Sequence, residues 1–122
     1  MGAKILIVDD EPETISMLSE FLGNADFKVS TAVDGQAALD AIKIDIPDLL
    51  LMDILLPEMD GWLVCQKLKA DEKLKKIPII LMSGILAVDS QADPQVEKCD
   101  YLIAKPVHLA NLLQKLREFF PN

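Results

Sequence analysis

Short apolar runs alternate with helical patterns along the whole chain. Five runs are rich in residues that favour strands, and polar or turn-forming residues follow each of them. The third run, Leu49–Met52, is apolar at every position, which predicts a strand that is covered on both faces. The predicted strands are Lys4–Val8, Lys28–Ala32, Leu49–Met52, Pro78–Met82 and Tyr101–Ala104.

Helical spacing of apolar residues predicts helices between these strands. The clearest patterns begin at Pro12 and cover Ala37–Lys43, Trp62–Ala70 and Leu109–Phe120. The stretch Ile85–Cys99 is ambiguous. Within it we expect a loop from Gly84 to Ala92 and a short helix at Pro94–Cys99, with Asp93 as its N-cap. Five strands alternating with about five helices predict a three-layer, doubly wound α/β domain with a parallel sheet.

The balance of charged residues excludes some classes of binding partner. The 122 residues carry 12 Lys and Arg against 20 Asp and Glu, a net charge of −8. Such a surface repels nucleic acid and anionic membranes, so we expect direct binding to neither. Two cysteines are too few for a disulfide framework, no sequence pattern suggests zinc, and no apolar run has the length of a membrane helix. We therefore expect a cytoplasmic protein.

Polar side chains that can bind ions or take part in a reaction follow four of the predicted strands. Asp9 and Asp10 follow the first, Asp53 the third, Ser83 the fourth and Lys105 the fifth. Function collects at the carboxyl ends of parallel strands, so these residues could share one pocket. Three neighbouring carboxylates repel one another, so either some are protonated or a cation lies among them. An all-oxygen site with few protein ligands favours magnesium.

The chain resembles the receiver domain of response regulators, and chemotaxis regulators in particular. The matching motifs are Ile7-Val8-Asp9-Asp10-Glu11, Asp34-Gly35, Leu51-Met52-Asp53-Ile54 with Pro57 and Asp60-Gly61, Pro78-Ile79-Ile80-Leu81-Met82-Ser83, and Lys105-Pro106. They occur in the family's order and at its spacing. The resemblance implies one receiver domain over residues 1–122, with a core of about 4–120, and a flavodoxin-like strand order 2-1-3-4-5.

The resemblance also implies a magnesium site and its ligands. Asp10 and Asp53 would bind the ion through their side chains, and Leu55 through its backbone carbonyl. Asp9 would act through a bound water. Mg²⁺ would then be the one cofactor of the domain.

The signalling chemistry is implied residue by residue as well. Asp53 would accept a phosphoryl group from a histidine kinase or a histidine phosphotransfer protein, and Ser83 and Lys105 would contact that group. The peptide between Lys105 and Pro106 would be cis. The protein would be no enzyme beyond catalysing its own phosphorylation and dephosphorylation. Its partner would be a downstream output domain or protein, and a homodimer formed on phosphorylation is left open.

The chain departs from the family in the switch region. Receiver domains usually carry an aromatic residue three positions before the lysine, where this chain has Leu102, while Tyr101 lies four positions before it. Because strand side chains alternate, the offset predicts that Tyr101 faces the opposite side of the sheet. The hypothesis is that the loop after Ser83, and not ring rotation, reports phosphorylation. The alternative is a bulge that restores Tyr101 to the usual place.

Two other functions compete with this interpretation. Magnesium-dependent phosphatases of the haloacid-dehalogenase type also use an aspartate nucleophile, but in an Asp-x-Asp motif after the first strand. Here Asp9 and Asp10 are adjacent, and the candidate acceptor follows the third strand. Flavodoxins hold the flavin phosphate in a loop rich in Ser, Thr and Gly. Three acidic residues, Asp9, Asp10 and Glu11, would repel that phosphate.

Overall fold

The computed structural model describes residues 2–84 and 100–121 and contains one five-stranded, all-parallel sheet. The strand order is β2-β1-β3-β4-β5, which confirms the predicted order. The strands are β1 (Lys4–Val8), β2 (Lys28–Ala32), β3 (Leu49–Asp53), β4 (Ile79–Ser83) and β5 (Tyr101–Ala104). Within the described residues, four helices are α1 (Pro12–Asn24), α2 (Gly35–Ile44), α3 (Gly61–Lys69) and α4 (Leu109–Phe119).

The hydrophobic core has two layers, one on each face of the sheet. Successive side chains of a strand point to opposite faces, and so Leu50 and Leu51 of β3 belong to different layers. One layer packs against α2 and α3, and the other against α1 and α4. The three-layer architecture predicted from the sequence is therefore confirmed.

Two helices begin earlier than the apolar pattern predicts. The Asp34 carboxylate accepts a hydrogen bond of 2.7 Å from the Ala37 amide, so α2 begins at Gly35. Asp60 accepts one of 2.9 Å from the Leu63 amide, so α3 begins at Gly61. Capping carboxylates satisfy free amides of the first turn. The helix therefore begins directly after the cap, before its first apolar residue.

Strand β5 pairs with β4 without a bulge. Ile80 lies opposite Tyr101 and Ser83 opposite Ala104, one residue to one along the ladder. Leu102 packs against the core layer of α2 and α3. The Tyr101 ring lies on the other face, where the Lys115 ammonium is 4.1 Å from its centroid. The offset predicted for Tyr101 is thus present, and the bulge alternative does not hold.

The predicted loop beyond Gly84, the short helix Pro94–Cys99 with its cap Asp93, and Cys99 itself lie outside the described residues. The other cysteine, Cys65, is buried in the core. Among the described helices, none is both long and apolar enough to cross a membrane.

Candidate functional site

The parallel sheet brings the predicted site residues to one edge. Val8, the last residue of β1, is paired with Met52, so Asp9 lies beside Asp53. Asp53 is in turn paired with Met82, next to Ser83 at the end of β4. Lys105 follows β5, and its amide donates a hydrogen bond of 2.8 Å to the Ser83 carbonyl. Four strands thus deliver the residues of one acidic pocket.

Three carboxylates form the negative side of the pocket. Asp9, Asp10 and Asp53 can each offer an oxygen atom such that all three atoms lie within 4.8 Å of one another. Asp9 is fully buried and Asp53 almost so, whereas Asp10 is exposed. This all-oxygen donor set fits a hard divalent cation such as Mg²⁺, which keeps several waters and needs few protein ligands.

Lys105 supplies the positive charge. Its Nζ lies 2.8 Å from Asp9 Oδ2 and 2.8 Å from Asp53 Oδ2, and 3.2 Å from Glu11 Oε1. Burial of the ammonium lowers the pKa of Lys105, but its hydrogen bonds to Asp53, Asp9 and Glu11 outweigh this effect and raise the pKa above its ordinary value. Lys105 therefore carries a full positive charge at neutral pH.

Backbone amides orient the two buried carboxylates. Asp9 Oδ1 accepts a hydrogen bond of 2.9 Å from the Glu11 amide, and Asp53 Oδ1 accepts one of 3.0 Å from the Leu55 amide. In each aspartate, one oxygen is thus held by the chain and the other faces Lys105. The Leu55 side chain is exposed. The role predicted for its carbonyl stays a prediction.

Gly61 supports the loop that follows Asp53. Its amide donates a hydrogen bond of 2.6 Å to the Ile54 carbonyl. A Cβ atom at this position would lie 2.8 Å from the Asp53 carbonyl oxygen and 2.9 Å from the Ile54 Cα. Only glycine lets the start of α3 come this close to the backbone of Asp53.

The remaining predicted residues surround the pocket. Ser83 is buried at the end of β4. The peptide between Lys105 and Pro106 is cis. Tyr101 and Leu102 lie on β5, before Lys105, and form no part of the carboxylate cluster.

Sequence reasoning missed Glu11. The sequence places Glu11 in the acidic motif after β1 and at the start of the first helix, yet its carboxylate is the third partner of Lys105. Nothing in the local sequence indicates this contact, because 94 positions separate the two residues.

The fold and the pocket define a doubly wound α/β domain with an aspartate-lysine site at the carboxyl ends of its strands. The model of the response regulator receiver domain family matches residues 5–117, so the chain belongs to that family. Phosphoaspartate and magnesium binding are characteristic of this family. The protein is therefore a receiver domain of two-component signalling, which implies phosphorylation-dependent signalling.

Individual known proteins agree with this assignment. The response regulator PleD of Caulobacter vibrioides is 42% identical over 93 residues, which are 76% of this chain and 20% of PleD. The DNA-binding transcriptional regulator RpaA of Synechocystis is 31% identical over 115 residues, which are 93% of this chain and 47% of RpaA. The chain thus spans between a fifth and about half of these relatives.

A solved structure shows the same fold. It is the receiver domain of the sensor histidine kinase PA1611 from Pseudomonas aeruginosa, with a magnesium ion coordinated in its active-site cleft. Its TM-score is 0.88 at 24% identity, over 100% of both chains.

Proposed function

We propose that Asp53 accepts a phosphoryl group from a histidine kinase or a histidine phosphotransfer protein in a magnesium-dependent reaction. The observation that carries this proposal is the position of Asp53, at the end of the central strand with a lysine ammonium 2.8 Å away. Asp9 and Asp10 complete a carboxylate cluster beside it. A buried carboxylate beside a permanent positive charge is suited to accept a phosphoryl group.

The transfer exchanges one bond to phosphorus for another. The bond from phosphorus to the donor's histidine nitrogen breaks, and a bond to an Asp53 carboxylate oxygen forms. The nitrogen keeps the electron pair and takes up a proton. Lys105, already at Asp53, contacts the phosphoryl oxygens as a point charge. The Ser83 hydroxyl donates a hydrogen bond to one of them.

A cation is needed because the phosphoryl group adds negative charge to a pocket that already holds three carboxylates. Asp10 and Asp53 would hold Mg²⁺ directly, with the Leu55 carbonyl, and Asp9 would hold it through a water. The chemistry that magnesium supplies when bound is neutralisation of charge on the transferring group.

The test uses acetyl phosphate as the donor and intact mass as the readout. We expect the wild type to gain one phosphate in magnesium and none in EDTA. Asp53→Asn should gain none, whereas Asp48→Asn, at an exposed aspartate before β3, should behave as the wild type. Phosphate on Asp53→Asn, or transfer in EDTA, would contradict the assignment.

The output is altered binding to a downstream domain or protein, and a phosphorylation-dependent homodimer is one form it can take. The family match over residues 5–117 supports a single receiver domain as the signalling part. The net charge of −8 argues against direct binding to nucleic acid, and a cytoplasmic location would suit transfer from a histidine kinase. Tyr101 and Leu102 mark the switch region. Leu102 stands where the family usually has its aromatic residue, but it has neither a ring nor a hydroxyl to rotate toward Ser83. Tyr101 lies on the opposite face of the sheet and cannot replace that ring. We therefore expect the exposure of Tyr101, followed by NMR of its ring, to stay the same when beryllium fluoride mimics the phosphoryl group.

A further inference from the structure

Glu11 lies at the N-cap position of α1, but its side chain does not cap the helix. It is the N-cap residue of α1, with extended backbone and no side-chain capping hydrogen bond. Short polar side chains serve best as caps. The longer Glu11 side chain, 63% exposed, instead brings its carboxylate to 3.2 Å from Lys105 Nζ. The Glu11 side chain therefore contacts the pocket and does not cap the helix.

Glu11 differs from the other partners of Lys105. Among the described residues, Lys105 pairs with Asp9, Asp53 and Glu11. Asp9 and Asp53 belong to the carboxylate cluster, and Glu11 does not. A divalent cation in the cluster repels the lysine ammonium and competes with it for those two aspartates. Such a cation would leave the contact with Glu11 in place, because Glu11 lies outside the cluster.

We infer that Glu11 is a positioning residue for Lys105. It holds the ammonium at the rim of the pocket while the aspartates exchange the lysine for a divalent cation. Lys105 then stays within reach of a group attached to Asp53. The inference rests on the proposed function, since it assumes that the cluster takes a cation.

The primary test is magnesium affinity by isothermal titration calorimetry. Without Glu11, Lys105 should stay on the aspartates and oppose the incoming cation. We expect Glu11→Gln to raise the magnesium Kd about threefold, in the range of one exposed ion pair. The matched control is Glu13→Gln, an exposed glutamate in the same first turn of α1. It removes the same charge from the helix and should change the Kd by less than about 1.5-fold.

Two further variants separate positioning from simple charge attraction. Glu11→Asp keeps the charge but is one methylene shorter, so it should lose the lysine contact and raise the Kd about as much as Glu11→Gln. A wild-type Kd in Glu11→Asp would overturn the inference. In a Lys105→Met background, Glu11→Gln should have no more effect than Glu13→Gln. A threefold effect that persists there would mean that Glu11 attracts the cation directly.

Failure of the inference and failure of the proposed function give different results. If the wild type neither binds magnesium nor takes phosphate on Asp53, the proposed function is wrong. If the wild type does both and Glu11→Gln binds magnesium as tightly, only the role of Glu11 is wrong. Thermal melts of each variant in EDTA show whether it is folded. The Glu11→Asp comparison does not depend on the stability of Lys105→Met.

Discussion

Strands β3 and β5 supply the opposite charges of the pocket but are held in the fold in different ways. All five residues of β3 are buried, and the strand is paired on both sides, with β1 and β4. Strand β5 is at the edge of the sheet, with Tyr101 and Ala104 exposed and the two residues between them half-buried. Asp53, the proposed acceptor, is the last residue of β3, and Lys105 directly follows β5.

The contrast shows two ways of positioning a charged group. Asp53 is positioned by the core, because its strand is packed on both faces. Lys105 is positioned by its ion pairs with Asp9, Asp53 and Glu11. A group held by ion pairs can change partners when the charges around it change, whereas a group held by packing cannot move without disturbing the core.

The largest expected difference between β3 and β5 is the loss of stability when a core leucine is shortened. Leu50 of β3 and Leu102 of β5 contact the same core layer, but Leu50 is fully buried and Leu102 is partly buried. Leu50→Ala should lower the free energy of unfolding by about 3 kcal/mol, and Leu102→Ala by about 1 kcal/mol, because cavity and transfer costs scale with burial. Urea unfolding of both variants measures this. Equal losses would remove the contrast between the two strands.

The next expected effect concerns the lysine. Lys105→Met leaves two buried aspartates without their cation and should cost about 2 kcal/mol in EDTA. Saturating magnesium should reduce this loss, because it supplies a replacement charge. The folded-state pKa of Lys105 is raised, so its stabilisation is complete below its unfolded pKa of 10.5 and is lost only in strong alkali. We therefore expect the Lys105 charge to contribute the same free energy of unfolding at pH 7 and at pH 9. The loss in Lys105→Met that comes from this charge should be equal at the two pH values.

A smaller effect is expected from the backbone that supports β3. Gly61→Ala places a methyl group against the Asp53 carbonyl and should cost about 1.5 kcal/mol, with slower phosphorylation of Asp53. The control is Gly23→Ala in α1, where a Cβ meets nothing within 4 Å, and alanine favours the helix. Thermal melts should shift in opposite directions. If Gly61→Ala left the melting temperature unchanged, the loop after Asp53 would be able to move and accommodate the methyl group.

The smallest effect belongs to β5. Tyr101→Leu removes the cation–π contact with Lys115 and should cost about 0.5 kcal/mol. Lys115→Met should cost a similar amount, and the double variant no more than either one, as a double-mutant cycle would measure. Additive losses would show that the contact between Tyr101 and Lys115 contributes nothing to the stability of β5.

The sequence predicted those parts of the fold that depend on local pattern. Continuous apolar runs such as Leu49–Met52 marked the strands, and polar residues at their ends marked the pocket. The helix starts were less accurate, since Asp34 begins α2 earlier than its apolar pattern does. Periodicity reports the buried face of a helix, whereas capping depends on a single hydrogen bond.

Contacts between distant side chains were beyond prediction from local pattern. The Glu11 contact with Lys105 joins residues 94 positions apart and depends on how the first turn of α1 faces β5. Lys69 is a second case. Its ammonium bonds Asp100 at 3.1 Å, and Asp100 also accepts a hydrogen bond from the Ile79 amide. Side chains of this kind acquire partners only through tertiary packing, so sequence spacing carries no sign of them.

The long separation between the charges of the pocket bears on protein synthesis. Asp9 and Lys105 are 96 positions apart, so a ribosome makes the aspartate well before it makes the lysine. Until then, Asp9 and Asp53 have no lysine to counter their charge, and β5 is absent from the sheet. A nascent chain therefore lacks the complete set of charged residues of the proposed phosphoryl site even after Asp53 has emerged. If the proposed function holds, a chain can respond to its kinase only after β5 and Lys105 have been synthesised.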